Sequence, residues 1–136
     1  MTSTAHSLPS SVSFKQDATI IGLVGLAHAA SHFGHLLLPL MFPVFMAEFG
    51  LSYSQVGLLM STFFVVSGLG QASAGFVVDK VGARPMLFLA LSLFALACAG
   101  ASLVTGYSAL FAVAALAGLG NATFHPVDFT ILNQRV

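Results

Sequence analysis

The eight acidic and basic side chains of this 136-residue chain all fall at the edges of three long uncharged stretches. Positions 18–47 and 49–78 hold 30 residues each without Asp, Glu, Lys or Arg, and positions 85–127 hold 43. An α-helix needs about 20 apolar residues to cross the hydrocarbon core of a bilayer. The first two stretches therefore fit one span each, and the third fits two spans joined by an uncharged hairpin. The expected fold is an all-α membrane protein with spans at about 18–46, 54–78, 85–104 and 107–131.

Composition agrees with a lipid solvent. Charged residues make up 6% of the chain, against roughly a quarter in a soluble domain. The net charge is zero, so no basic patch exists to neutralise phosphates and a nucleic-acid partner is excluded. The single cysteine, Cys98, has no partner for an internal disulfide and reads as a small apolar packing residue. Residues 1–17 are Ser/Thr-rich and lack the apolar run of a cleavable signal peptide. They are expected to form a disordered cytoplasmic tail, leaving the first span to act as the targeting segment.

Pro39 and Pro43 fall in the second half of span one and predict a kink there. Glu48 to Ser52 reads as a turn, with Ser52 or Ser54 available to cap the next helix. The later half of span two is rich in small residues, and span four carries Ala114, Gly118 and Ala122 at four-residue spacing. Such faces let membrane helices approach closely. Lys15, Lys80, Arg84 and Arg135 all lie on one side of a four-span chain. The positive-inside rule puts that side, and both termini, in the cytoplasm.

The segment from Asp79 to Pro85 reads as a tight polar turn between spans two and three. Gly75 there would permit close packing at a helix end, and Gly82 would permit the chain to reverse. Asp79 could accept from free N–H groups at a helix N-terminus, and Lys80 and Arg84 would hold the loop on the anionic cytoplasmic face. Together Gly75, Asp79, Lys80, Gly82 and Arg84 match Gly-x-x-x-Asp-[Arg/Lys]-x-Gly-x-[Arg/Lys]. That pattern resembles the cytoplasmic loop motif of the major facilitator superfamily, at the position where the family has it.

The resemblance implies secondary transport of a small molecule through a twelve-span fold built from inverted three-helix repeats. It implies location in a bacterial inner (plasma) membrane, no cofactor and no resident metal. In that family the loop aspartate is thought to bridge to the opposite half of the transporter, a role that falls here on Asp79. Four spans make one repeat plus one helix, so the chain is expected to be an N-terminal fragment that lacks its C-terminal spans and transports nothing alone. Shorter matches at Ser31-His32, Glu48 to Ser52, Gln55-Val56-Gly57 and Phe124-His125-Pro126 resemble the fosmidomycin-resistance branch, which exports small drugs. That branch often has an acidic residue soon after the span-one histidine, where Gly34-His35-Leu36 stands here. The proton-coupled antiporters often carry an arginine four residues before Gly-x-Gly in span four; Ala114 occupies that place before Gly118-Leu119-Gly120. Proton coupling in this chain must then run through other side chains.

Two polar stripes offer such groups. His28, His32 and His35 recur at steps of four and three on span one, and Asn121, His125 and Asp128 do so on span four. Residues so spaced share one helix face. A lipid-facing charge costs a few kcal/mol, so the stripes are expected to face a water-filled cavity. Histidine is suited to taking up and releasing a proton as access alternates. The competing expectation is that each ring is hydrogen-bonded to a neighbouring helix, with Asn121 as interhelical glue and Asp128 paired to Arg135. From a different class, a four-helix haem electron carrier would use His28 and His125 as axial ligands, and a purely structural membrane protein is a third possibility. No nucleophile–base–acid constellation lies in an aqueous segment, so no enzyme is expected.

Overall fold

Every backbone N–H and C=O that crosses hydrocarbon must be satisfied within the chain, and helices achieve this. The computed structural model describes residues 13–135, with the side chain of Arg135 excepted, and all of its regular structure is helical. Helices α1 (Phe14–Leu40) and α2 (Phe42–Phe49) form span one, α3 (Tyr53–Val81) span two, and α4 (Ala83–Ala101) span three. Span four comprises α5 (Tyr107–Ala122) and α6 (Phe124–Arg135). All four spans are long and apolar enough to cross a membrane.

Span one begins earlier than its uncharged stretch. Residues 14–17, assigned by composition to a disordered tail, form the first turn of α1; residues 1–12 lie outside the described residues. Asp17 sits in that first turn, where a carboxylate meets the positive end of the helix dipole. The expected kink falls at Met41. Pro39 and Pro43 remove two consecutive-turn N–H donors, and the chain re-forms as α2 with Pro43 in its first turn. Gly50 then closes α2 in the left-handed conformation, φ 63°. Ser52 starts α3 with a capping box: Gln55 N donates to Ser52 Oγ at 3.3 Å, and Ser52 N donates to Gln55 Oε1 at 2.9 Å.

The polar turn between spans two and three is shorter than the sequence implies. Asp79 and Lys80 belong to the last turn of α3, and α4 starts at Ala83. Gly82 alone makes the reversal, at φ 88°, a conformation that a Cβ would strain. Asp79 does not cap α4, whose N-terminus has no side-chain cap. Among the described residues, a Cβ on Gly75 would meet nothing within 4 Å.

Span four is the centre of the bundle. Half of its apolar window is buried within the chain, against 11%, 22% and 17% for spans one, two and three. Small residues make this possible. A Cβ on Gly118 would lie 2.6 Å from the Phe63 carbonyl oxygen of α3, and one on Gly120 would lie 3.1 Å from the Ala90 carbonyl oxygen of α4. Ala114 and Ala122 are buried on the same helix, the latter opposite Gly70. The core around these contacts is formed by Leu59, Phe63, Phe94, Leu110 and Phe124. Span one packs chiefly against α6.

The break within span four, at Thr123, departs from the single helix expected over 107–131. Pro126 cannot donate to the Ala122 carbonyl and its ring crowds that group. Thr123 Oγ1 instead donates to the Gly120 carbonyl at 3.1 Å.

Replacing Gly118 by Ala is expected to destabilise the detergent-solubilised chain by about 1–3 kcal/mol through overpacking against α3. Gly68→Ala, where a Cβ meets nothing within 4 Å, is the matched control. Unfolding monitored by circular dichroism should lower the midpoint for Gly118→Ala only.

Candidate functional site

The antiparallel packing of α1 against α6 carries the polar side chains of the two spans to one place. His28 lies near the middle of α1, and Asp128 lies two residues past Pro126 on α6. His28 Nδ1 and Asp128 Oδ2 are 2.7 Å apart, with the side chains 35% and 11% exposed respectively. The pair therefore sits at the rim of an opening, with the carboxylate on the buried side. Nδ1–H of His28 donates to the carboxylate, which leaves His28 Nε2 as the acceptor. His32 Nε2 stands 3.0 Å from it, one turn along α1, and donates its own N–H in that tautomer.

Two more rings complete the group. His125 meets His28 edge to face with centroids 5.1 Å apart, and His35 meets His32 in the same way at 5.1 Å. His35 continues toward Phe63 and Phe64 of α3, at 6.0 and 6.4 Å. Four imidazoles and one carboxylate thus form a continuous polar seam along α1 and onto α6. Ser31 turns away from it, buried, with Oγ donating to the His28 carbonyl at 2.8 Å.

The six residues of the two sequence stripes do not all converge. His28, His32, His35, His125 and Asp128 do. Asn121 faces elsewhere: its Nδ2 donates to Ser67 Oγ of α3 at 2.8 Å, and Gln71 Nε2 donates to the same oxygen at 3.4 Å. The break at Thr123 explains the split, since Asn121 belongs to α5 while His125 and Asp128 belong to α6. The Asn121–Ser67 contact is a polar tie between spans two and four within a small-residue interface. Ser67 was visible in the sequence only as one small residue among many, and no spacing rule pairs it with Asn121.

Asp128 finds its partner in His28 across the bundle; the alternative partner, the side chain of Arg135, lies outside the described residues. Between α1 and α6 a cavity of about 320 Å³ is lined by Ile21, Val24, His28, His125, Asp128 and Phe129. The edge-to-face contact of His28 with His125 leaves no room for a macrocycle between the rings, which argues against the haem-carrier alternative. Of the loop-motif residues, Asp79, Lys80 and Arg84 are exposed at the same end of the bundle as α6's C-terminus. Arg84 borders a second opening with Ile20, Ile131 and Gln134.

Asn121→Leu keeps size but leaves the buried Ser67 hydroxyl only the longer bond from Gln71. The expected loss is about 0.6–2 kcal/mol, read as a lower unfolding midpoint in detergent, with Ser67→Ala giving a smaller loss.

Comparison with known proteins agrees with this architecture. The family model for the Major Facilitator Superfamily matches residues 24–136. The fosmidomycin resistance protein of Escherichia coli (strain K12) is 31% identical over 115 residues, covering 79% of this chain and 26% of that protein. The MFS-type transporter YcaD of Escherichia coli O45:K1 is 32% identical over 80 residues, covering 59% of this chain and 21% of that protein. The MFS-type transporter YfnC of Bacillus subtilis (strain 168) is 26% identical over 107 residues, covering 79% and 26%. The chain thus spans about a quarter of the length of these relatives. No solved structure matches. With the family match running from the middle of α1 through α6, this integral membrane chain belongs to the major facilitator superfamily.

Proposed function

We propose that this chain supplies the first four spans of a proton-coupled transporter that exports a small molecule by alternating access. The observation that supports it is the 2.7 Å contact between His28 Nδ1 and Asp128 Oδ2. It joins span one to span four through an ionisable pair, beside the edge-to-face contact of His28 with His125. An ionised Asp128 holds the His28 N–H and draws α1 and α6 together. A proton delivered to the carboxylate removes the charge that strengthens this bond, and the clasp between the two helices is weakened. Such a bond biases a two-state element through protonation, which is what coupling requires. His32, His35 and His125 extend the polar seam along which a proton reaches the pair.

The partners are protons, a small-molecule substrate, the lipid bilayer and the further C-terminal spans of the transporter. Drug export is the direction suggested by the name of the fosmidomycin resistance protein. The N-terminus and the Asp79–Arg84 segment face the cytoplasm, on the strength of the basic residues Lys15, Lys80 and Arg84. Alone, four spans lack the opposing half that closes a cavity.

In the transporter that contains this chain, His28→Ala, His125→Ala and Asp128→Asn are each expected to flatten the pH dependence of flux in proteoliposomes. A wild-type pH profile in all three variants refutes proton coupling through this seam. The 136-residue chain alone is expected to give no flux; concentrative uptake by it would overturn the need for a second half. A cysteine at Lys80 should react with impermeant maleimide only from the cytoplasmic side.

A further inference from the structure

His28 and His32 stand four residues apart on α1, so one face of the helix carries both rings. Their Nε2 atoms are 3.0 Å apart, and the ring centroids lie 4.8 Å apart. Two histidines at this helical spacing form a chelating pair, the arrangement that holds zinc in helical metal sites. The surroundings of His28 fit ligation as well. Its Nδ1 gives its N–H to Asp128 Oδ2 at 2.7 Å. That bond fixes the ring, leaves the lone pair on Nε2 and raises its basicity, as the carboxylate behind a metal-bound imidazole does. Asp128 is 7% exposed and backs the ring from the buried side. His28 is half-buried and His32 is exposed, so the two rings are open to ions and water at the rim.

We infer that the Nε2 atoms of His28 and His32 together bind a divalent copper or nickel ion from solution, with water completing its coordination. The spacing selects the metal. Metal–imidazole bonds of about 2.0–2.1 Å to nitrogens 3.0 Å apart enclose about 95° at the ion. That is the angle between neighbouring ligands in a square-planar or tetragonal site, the geometry of copper(II) and nickel(II). Tetrahedral zinc needs the two nitrogens about 0.3–0.4 Å farther apart. Coordination transfers no electron. His32 moves its proton from Nε2 to Nδ1, both nitrogens give their lone pairs, and two waters leave the hydrated ion. Among the described residues no set of three His, Cys, Asp or Glu side chains is placed to hold a metal, so the ion is held by two ligands and exchanges readily. His125 meets the His28 ring edge to face and His35 meets the His32 ring, and neither joins the pair. The inference stands on donor geometry and is independent of proton coupling.

The test is equilibrium dialysis of the full, untagged chain in detergent micelles against Cu²⁺ and, separately, Ni²⁺. A His6→Ala background removes the one histidine outside the described residues. Circular dichroism checks helix content in each variant, and electron paramagnetic resonance of the Cu²⁺ form counts the bound nitrogens. One ion per chain is expected, with tetragonal copper coupled to two nitrogens. His32→Ala, which removes an exposed ring, should weaken binding of both metals at least tenfold, and so should His28→Ala. Asp128→Asn should weaken it about tenfold with the nitrogen count unchanged, as loss of a carboxylate behind a ligating imidazole does. His35→Ala should bind within twofold of the parent. Absence of saturable binding, coupling to a single nitrogen, or parental affinity in His32→Ala overturns the inference. A tenfold loss in His35→Ala overturns it too, by placing the ion elsewhere on α1.

Discussion

Backbone contact at two glycines organises the bundle. Lipid offers no hydrophobic driving force between helices, so association depends on how closely their surfaces fit. Gly118 presses against the α3 backbone and Gly120 against the α4 backbone. Span four is consequently gripped on two sides, and the other three spans are arranged around it. The remaining features follow from that placement. Asn121 reaches Ser67 because α3 and α5 are this close, and Tyr107 OH reaches the Gln55 carbonyl at 3.0 Å along the same interface.

Span one is held differently. It shares less close backbone contact with the core and meets α6 through a seam of imidazoles closed by one carboxylate. The bundle thus combines a tightly packed trio of spans with a first span clasped through polar groups. The histidines and Asp128 gather along α1 and its contact with α6, whereas spans two and four are joined by Asn121 and Gln71 on Ser67 and by Tyr107 on the Gln55 carbonyl.

Much of this was legible in the chain. The charge-free stretches gave four spans because ionic side chains are too costly to bury in hydrocarbon. Gly82 as the point of reversal and Ser52 as a cap follow from backbone chemistry that is local to those residues. The histidine stripe on α1 was readable from its spacing. The split in the second stripe was not. It depends on Pro126 breaking span four three residues earlier, at Thr123, and a proline can kink, end or merely begin a helix according to what packs around it. The partner of Asn121 was equally hidden, since a hydrogen bond between residues 54 positions apart leaves no periodic trace. Gly75 meets no close neighbour among the described helices.

The joint at Thr123 divides the labour of span four. Above it, α5 is wedged between its neighbours by glycine; below it, α6 is a separate rod of about 18 Å, at 1.5 Å per residue, bearing His125 and Asp128. The break gives α6 a direction of its own, so that Val127 packs on Val78 and Met86 while His125 and Asp128 meet α1, and the end of the rod lies beside the opening bordered by Arg84.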